Sequence, residues 1–174
     1  MRVGYKSTIN LTTIACYSAM VFAMQWALYF LPNVELVTLM ISFSVILFPF
    51  WMSASVCVAF TMLDVLIYGF MPWVILYLIV WPLLCLTTFL LKKIIEKQWL
   101  VFVLINTIFG LLFGSVDTLI FYFLYGFNNE ATLVYWIKSI PFDLIHGASN
   151  FLIALTLYKP LSSLKTKLRS HYEF

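Results

Sequence analysis

Long apolar runs follow one another through most of the chain, interrupted at short intervals by Pro, Gly, Asn or clustered Lys. The run TIACYSAMVFAMQWALYFL closes at Pro32-Asn33 and predicts a first span over about residues 10–31. Residues 34–70 hold only Glu35 and Asp64 as charges. At about 1.5 Å per residue, one helix of that length would far exceed a hydrocarbon core of about 30 Å. Phe48-Pro49-Phe50-Trp51 offers a break, which predicts two short helices over about 35–48 and 52–70. Further spans are expected over about 72–91, ending at KKIIEK, over about 99–126 and over about 139–159. The expected fold is an all-α membrane protein, a single domain (1–174) formed by a bundle of six transmembrane helices.

Composition agrees with that pattern. Only 10% of the residues are charged and 64% are hydrophobic, against about a quarter charged in soluble domains. The basic start and the first apolar run resemble a signal peptide, but the run is long and flows into further spans. It is therefore expected to stay as the first helix. Cys16, Cys57 and Cys85 lie in apolar runs without metal-type spacing and are expected to be small buried hydrophobes. Six spans with a cytoplasmic N-terminus put Arg2, Lys6, Lys92, Lys93, Lys97, Lys159, Lys165, Lys167 and Arg169 inside, leaving Lys138 outside. Merging 34–70 into one span would move the KKIIEK cluster and the basic tail outside. The positive-inside rule selects six spans with both ends in the cytoplasm. The net charge of +3 thus reflects topology rather than a nucleic-acid partner.

In that orientation the turns LPNVE, YGFMP and YGFNNEAT are at the outer surface, and Glu35 and every acidic residue within a span fall in the outer half. At 100° per residue, Asp143, Gly147, Asn150 and Ala154 share one stripe with His146 at its edge. Asn106, Gly110, Phe113 and Asp117 form a second stripe, and Ser53, Cys57, Thr61, Asp64 and Tyr68 a third. Three mid-bilayer carboxylates facing lipid would cost roughly 8–10 kcal/mol. They are therefore expected to face the bundle interior or a wet cavity. A small-molecule pocket is expected from Glu35, Asp64, Tyr68, Asp117, Trp136, Asp143, His146 and Asn150, with aromatic rings as walls. The plainer alternative is that Asp143 and His146, three apart on one helix, neutralise each other.

The chemistry of catalysis is not signalled. Ser149 lacks the strand-turn-helix setting of a nucleophile elbow. A single intramembrane His gives no metal site, and no phosphate-binding G-x-x-x-x-G-K-[ST] occurs. The expectation is a non-enzyme without cofactor or metal, with any ATP used by partner subunits. Ala15, Ala19, Ala23 and Ala27 recur every fourth residue, a ladder that lets helix backbones approach closely. Ala15, Ala19 and Ala23 are read as a docking face, with packing inside this bundle as the alternative.

The length, the six spans, the basic tail, the A-x-x-x-A of Ala15 and Ala19, and the segments PNVELVTL (32–39) and SIPFDLIHGASNF (139–151) resemble the S components of energy-coupling factor (ECF) vitamin transporters. The resemblance covers nearly the whole chain. It implies a multi-pass subunit of the bacterial plasma membrane that binds a vitamin or vitamin precursor near the outer face. It also implies a transmembrane T component and two ABC-type ATPases as partners, with Ala15 and Ala19 contacting the T component. Cobalamin, pyridoxine-type compounds and pyrimidine precursors all remain open as ligands. An MreD-like membrane scaffold or a proton-coupled small-solute carrier would account for the same spans.

Overall fold

The computed structural model describes residues 2–171, with side chains described for residues 7–165; the side chains of Arg2, Lys6, Lys167 and Arg169, used above to orient the chain, lie outside the described residues. The described chain is entirely helical: α1 Arg2–Ala27, α2 Val37–Leu47, α3 Phe50–Tyr68, α4 Pro72–Lys97, α5 Leu100–Tyr125 and α6 Asn129–His171. Five stretches are long and apolar enough to cross a membrane: Ser7–Ala27, Phe50–Tyr68, Pro72–Lys97, Leu100–Tyr125 and Asn129–Lys165. The second predicted span falls short of that. With 11 residues α2 rises about 16 Å, roughly half a hydrocarbon core.

Local chemistry explains the shortening. The chain between Ala27 and Val37 is taken up by turns, with Asn33 at φ 57° in the left-handed region that Asn tolerates. Phe48 is extended at φ −115° and ψ 164°, as the residue before Pro49 tends to be. Two further reversals use Gly at positive φ, Gly69 at 79° and Gly126 at 64°, where a side chain would be strained. At the sixth helix the sequence signal was masked. α6 starts at Asn129, ten residues before the expected 139, because Asn128 caps it. The Asn128 side chain accepts from the Ala131 N–H at 2.8 Å, and Glu130 sits in the first turn. The helix then continues through Pro141 and Pro160.

The short helix is the centre of the molecule. Nine of the eleven residues of α2 are buried, and α2 alone touches all five other helices. Around it the others stand in the order α1, α3, α4, α5, α6, each beside the next, while α1 and α6 make no close approach among the described residues. The result is a horseshoe of long helices around a short central one. Ser42 of α2 donates to Asn106 Oδ1 of α5 at 2.9 Å, and Tyr17 of α1 donates to the Met40 carbonyl at 2.7 Å. At the far end of α2, Lys92 Nζ donates to the Val45 carbonyl at 2.7 Å. That contact satisfies one of the carbonyls a helix C-terminus leaves open.

The α5 and α6 helices form the tightest pair. Their two predicted stripes face each other in antiparallel register. Asn150 Nδ2 donates to the Asn106 carbonyl at 3.4 Å, and the Gly114 N–H donates to Asp143 Oδ1 at 2.8 Å. Trp99 stacks near Tyr158 with centroids 5.8 Å apart. A Cβ on Gly110 would lie 2.9 Å from the Gly147 Cα, so the two backbones nearly touch there. Small residues permit that approach, and packing is the main force joining helices where no water is expelled.

Candidate functional site

The turn that leads into α2 is fastened to α6. The Glu35 carboxylate accepts from the Thr38 N–H at 2.8 Å and also from the Thr38 hydroxyl, capping the first turn of α2. His146 Nε2 lies 3.0 Å from Glu35 Oε1, the same oxygen that takes the Thr38 hydroxyl. One turn along α6, the Ser149 hydroxyl donates to the Asn33 carbonyl at 3.1 Å. The segments PNVELVTL and SIPFDLIHGASNF, more than a hundred residues apart, therefore meet through Glu35 with His146 and Asn33 with Ser149. Burial pushes the Glu35 carboxyl up. Its hydrogen bond and ion pairing with His146, together with the two Thr38 bonds, outweigh burial and hold it below the ordinary glutamate range.

Beneath this turn is a cavity of about 170 Å³. Gln25, Asn33, Glu35 and His146 give it polar atoms, and Tyr29, Tyr77, Trp81 and Phe113 give it aromatic walls. Leu28, Leu31, Val34 and Val37 close the remainder. The rings form a continuous surface: Tyr77 to Trp81 is 5.2 Å between centroids, Trp81 to Phe113 5.9 Å, and Phe113 meets the His146 ring edge-on at 5.1 Å. Trp81 Nε1 and Gln25 Oε1 are buried and have no hydrogen-bond partner. An apolar wall with a few converging polar groups is the general form of a small-molecule site.

Of the eight residues read as pocket-forming, the structure brings Glu35 and His146 to this cavity. Asp143 and Asn150 lie in the α5–α6 seam. His146 thus takes Glu35 as its hydrogen-bond partner, whereas Asp143 takes Gly114. Asp117 accepts from the Tyr135 hydroxyl at 2.7 Å, and Trp136 Nε1 donates to the Ser115 hydroxyl at 2.9 Å, both between α5 and the start of α6. Asp64 is fully buried on α3. Gln25 of α1 is its polar neighbour, yet neither Asp64 oxygen takes a hydrogen bond of ordinary geometry. Tyr68, one turn on, stacks with Trp26 at 6.1 Å and meets Trp73 edge-on at 5.8 Å.

Gln25, Trp81 and Phe113 are cavity residues that the sequence reading did not assign to the pocket. The signal for Gln25 was present, since it is the one amide within an otherwise apolar stretch of α1. Trp81 reads as an interfacial residue from its type alone and is in fact in the core. Ala15, Ala19, Ala23 and Ala27 are all exposed, away from the inward-facing Ile14, Tyr17, Ser18 and Val21 of the same helix. Cys57 and Cys85 are buried as expected, whereas Cys16 is exposed beside the ladder. Compared with protein-family models, with curated protein sequences and with solved structures, the chain matches none.

Proposed function

We propose that this chain is the substrate-binding membrane subunit of an ECF-type vitamin importer. It takes a vitamin or vitamin precursor from the outer face of a bacterial plasma membrane and delivers it inward with a T component and two ABC-type ATPases. The observation that carries this reading is the cavity under the Glu35 turn, with its aromatic walls and unpartnered Trp81 and Gln25 atoms. A membrane scaffold has no use for such a site. In this reading both termini are cytoplasmic, the Glu35 turn is extracellular and the chain has no enzymatic activity of its own. Ala15, Ala19 and Ala23 present a narrow groove in which the T component's helix packs, which fits their exposure.

Mass spectrometry of the protein purified in mild detergent tests the reading, together with co-purification of partner subunits from the native membrane. A bound small molecule and a membrane-plus-ATPase complex are expected. Purification without a ligand and without such partners would overturn it. Asp64, a buried carboxylate without an ordinary hydrogen bond, favours a second reading, a proton-coupled carrier. Uptake driven by a pH gradient in vesicles holding this chain alone would select that alternative.

A further inference from the structure

The cavity under the Glu35 turn restricts what it can hold by size, charge and unmet hydrogen bonds. Its volume is about 170 Å³; cavities of about 150 Å³ accept a benzene ring. One six-membered ring with small substituents matches that volume, and a ligand of corrinoid size far exceeds it. Tyr77, Trp81 and Phe113 offer ring faces and edges suited to a planar partner.

Charge restricts it further. The residues lining the cavity include the Glu35 carboxylate and no lysine or arginine. The one basic side chain, His146, is engaged with Glu35 at 3.0 Å. A carboxylate or phosphate on the ligand would enter beside Glu35 without a free cation to meet it, which is unfavourable. Trp81 is 2% exposed and its indole N–H has no acceptor, while Gln25 Oε1 has no donor. An indole nitrogen only donates, so an acceptor on the ligand would satisfy it.

We propose that this cavity binds a single-ring heteroaromatic molecule, neutral or cationic and free of carboxylate and phosphate, with an acceptor for Trp81 Nε1 and a donor for Gln25 Oε1. The proposal rests on the ligand-binding reading above and narrows its substrate class. It removes cobalamin and other large ligands from this site.

The test titrates the full detergent-solubilised chain by calorimetry. The probes are 3-(hydroxymethyl)pyridine and 4-amino-5-(hydroxymethyl)pyrimidine as neutral single rings, pyridine-3-carboxylate as an anion of similar size, and 3-(hydroxymethyl)quinoline as a fused pair. At least one neutral single ring should bind, tenfold or more tighter than the carboxylate and the quinoline. Trp81→Phe keeps the ring and removes the N–H; it should weaken that binding by about tenfold, the effect of one hydrogen bond. Equal or tighter binding of the carboxylate or the quinoline would overturn the proposal, as would undiminished binding in Trp81→Phe. If neither neutral ring binds, mass spectrometry of the co-purified molecule decides. A single-ring, non-acidic compound upholds the proposal, an acidic or multi-ring one overturns it while preserving the ligand-binding reading, and no molecule at all removes both.

Discussion

His146 on α6 and Glu35 in the turn before α2 lie 3.0 Å apart across 111 residues of sequence. Through them the central helix is tied to the last one at the mouth of the cavity. Because the same carboxylate also caps α2 through Thr38, one side chain links helix initiation, tertiary closure and the cavity wall.

That arrangement predicts a pH dependence. At neutral pH, Glu35→Gln should unfold at a lower temperature than the unaltered chain, because it loses a charge-assisted bond in a largely buried setting. The folded-state pKa of Glu35 is depressed. Its stabilising contribution is therefore complete above the unfolded value of about 4.3 and is lost as pH falls through the lower folded value. Melting curves of both proteins from pH 7 down to pH 3 should converge at the acid end; a gap that stays constant would mean that the charge of Glu35 contributes nothing.

The α5–α6 seam predicts a stability effect unconnected with ligand. Gly110→Ala would place a Cβ 2.9 Å from the Gly147 Cα. Backbone cannot yield as a side-chain tip does, so a loss of about 1–3 kcal/mol is expected. Leu111, a flexible side chain, is what a Cβ on Gly147 meets first, so Gly147→Ala should cost less. Thermal denaturation of the two variants in the same detergent checks the order.

Asp143 and Glu35 should separate stability from binding. Asp143→Ala removes the acceptor for the Gly114 N–H and is expected to cost about 1 kcal/mol of stability. Any ligand that co-purifies should bind to it with unchanged affinity. Glu35→Ala, at the cavity wall, should weaken the same ligand at least tenfold. Calorimetric titration of both variants distinguishes this from a site centred on Asp143, for which the order would reverse.

For the alanine ladder, Ala15→Leu and Ala19→Leu are expected to abolish assembly with partner subunits and uptake by cells. Ligand affinity of the isolated chain should stay unchanged. Both positions are exposed, away from the inward-facing side of α1, so a larger side chain leaves the core undisturbed while preventing close approach of another helix. Pull-down of the partner complex and binding to the isolated chain are the paired measurements; normal assembly in both variants would dismiss the ladder as a contact surface.

Periodicity made the faces of α5 and α6 legible. The stripe through Asn106 and Gly110 and the stripe through Asp143, Gly147 and Asn150 are the surfaces that meet. A period identifies a face but not its partner, so two polar stripes that close on each other read in sequence like two walls of a pocket. The shortness of α2 was legible from the break at Pro49, but its place at the centre was hidden. A helix with nine of eleven residues buried is apolar all round and offers no contrast from which to infer its surroundings. Trp81 escaped notice because tryptophan near a span is ordinarily interfacial, and only packing distinguishes a core indole with an unused N–H.

The hub position of α2 also has a consequence for how this sequence tolerates change. Inserting or deleting one residue in a helix rotates everything beyond it by about 100°. In α1 or α6 that error would be felt on one flank of the horseshoe, with the other flank exposed. In α2 it would misalign five interfaces together. A mutational scan should therefore find its least permissive stretch in Val37–Leu47, one of the most apolar helices of the six, and indels there should be lost from any functional library before those in the longer helices.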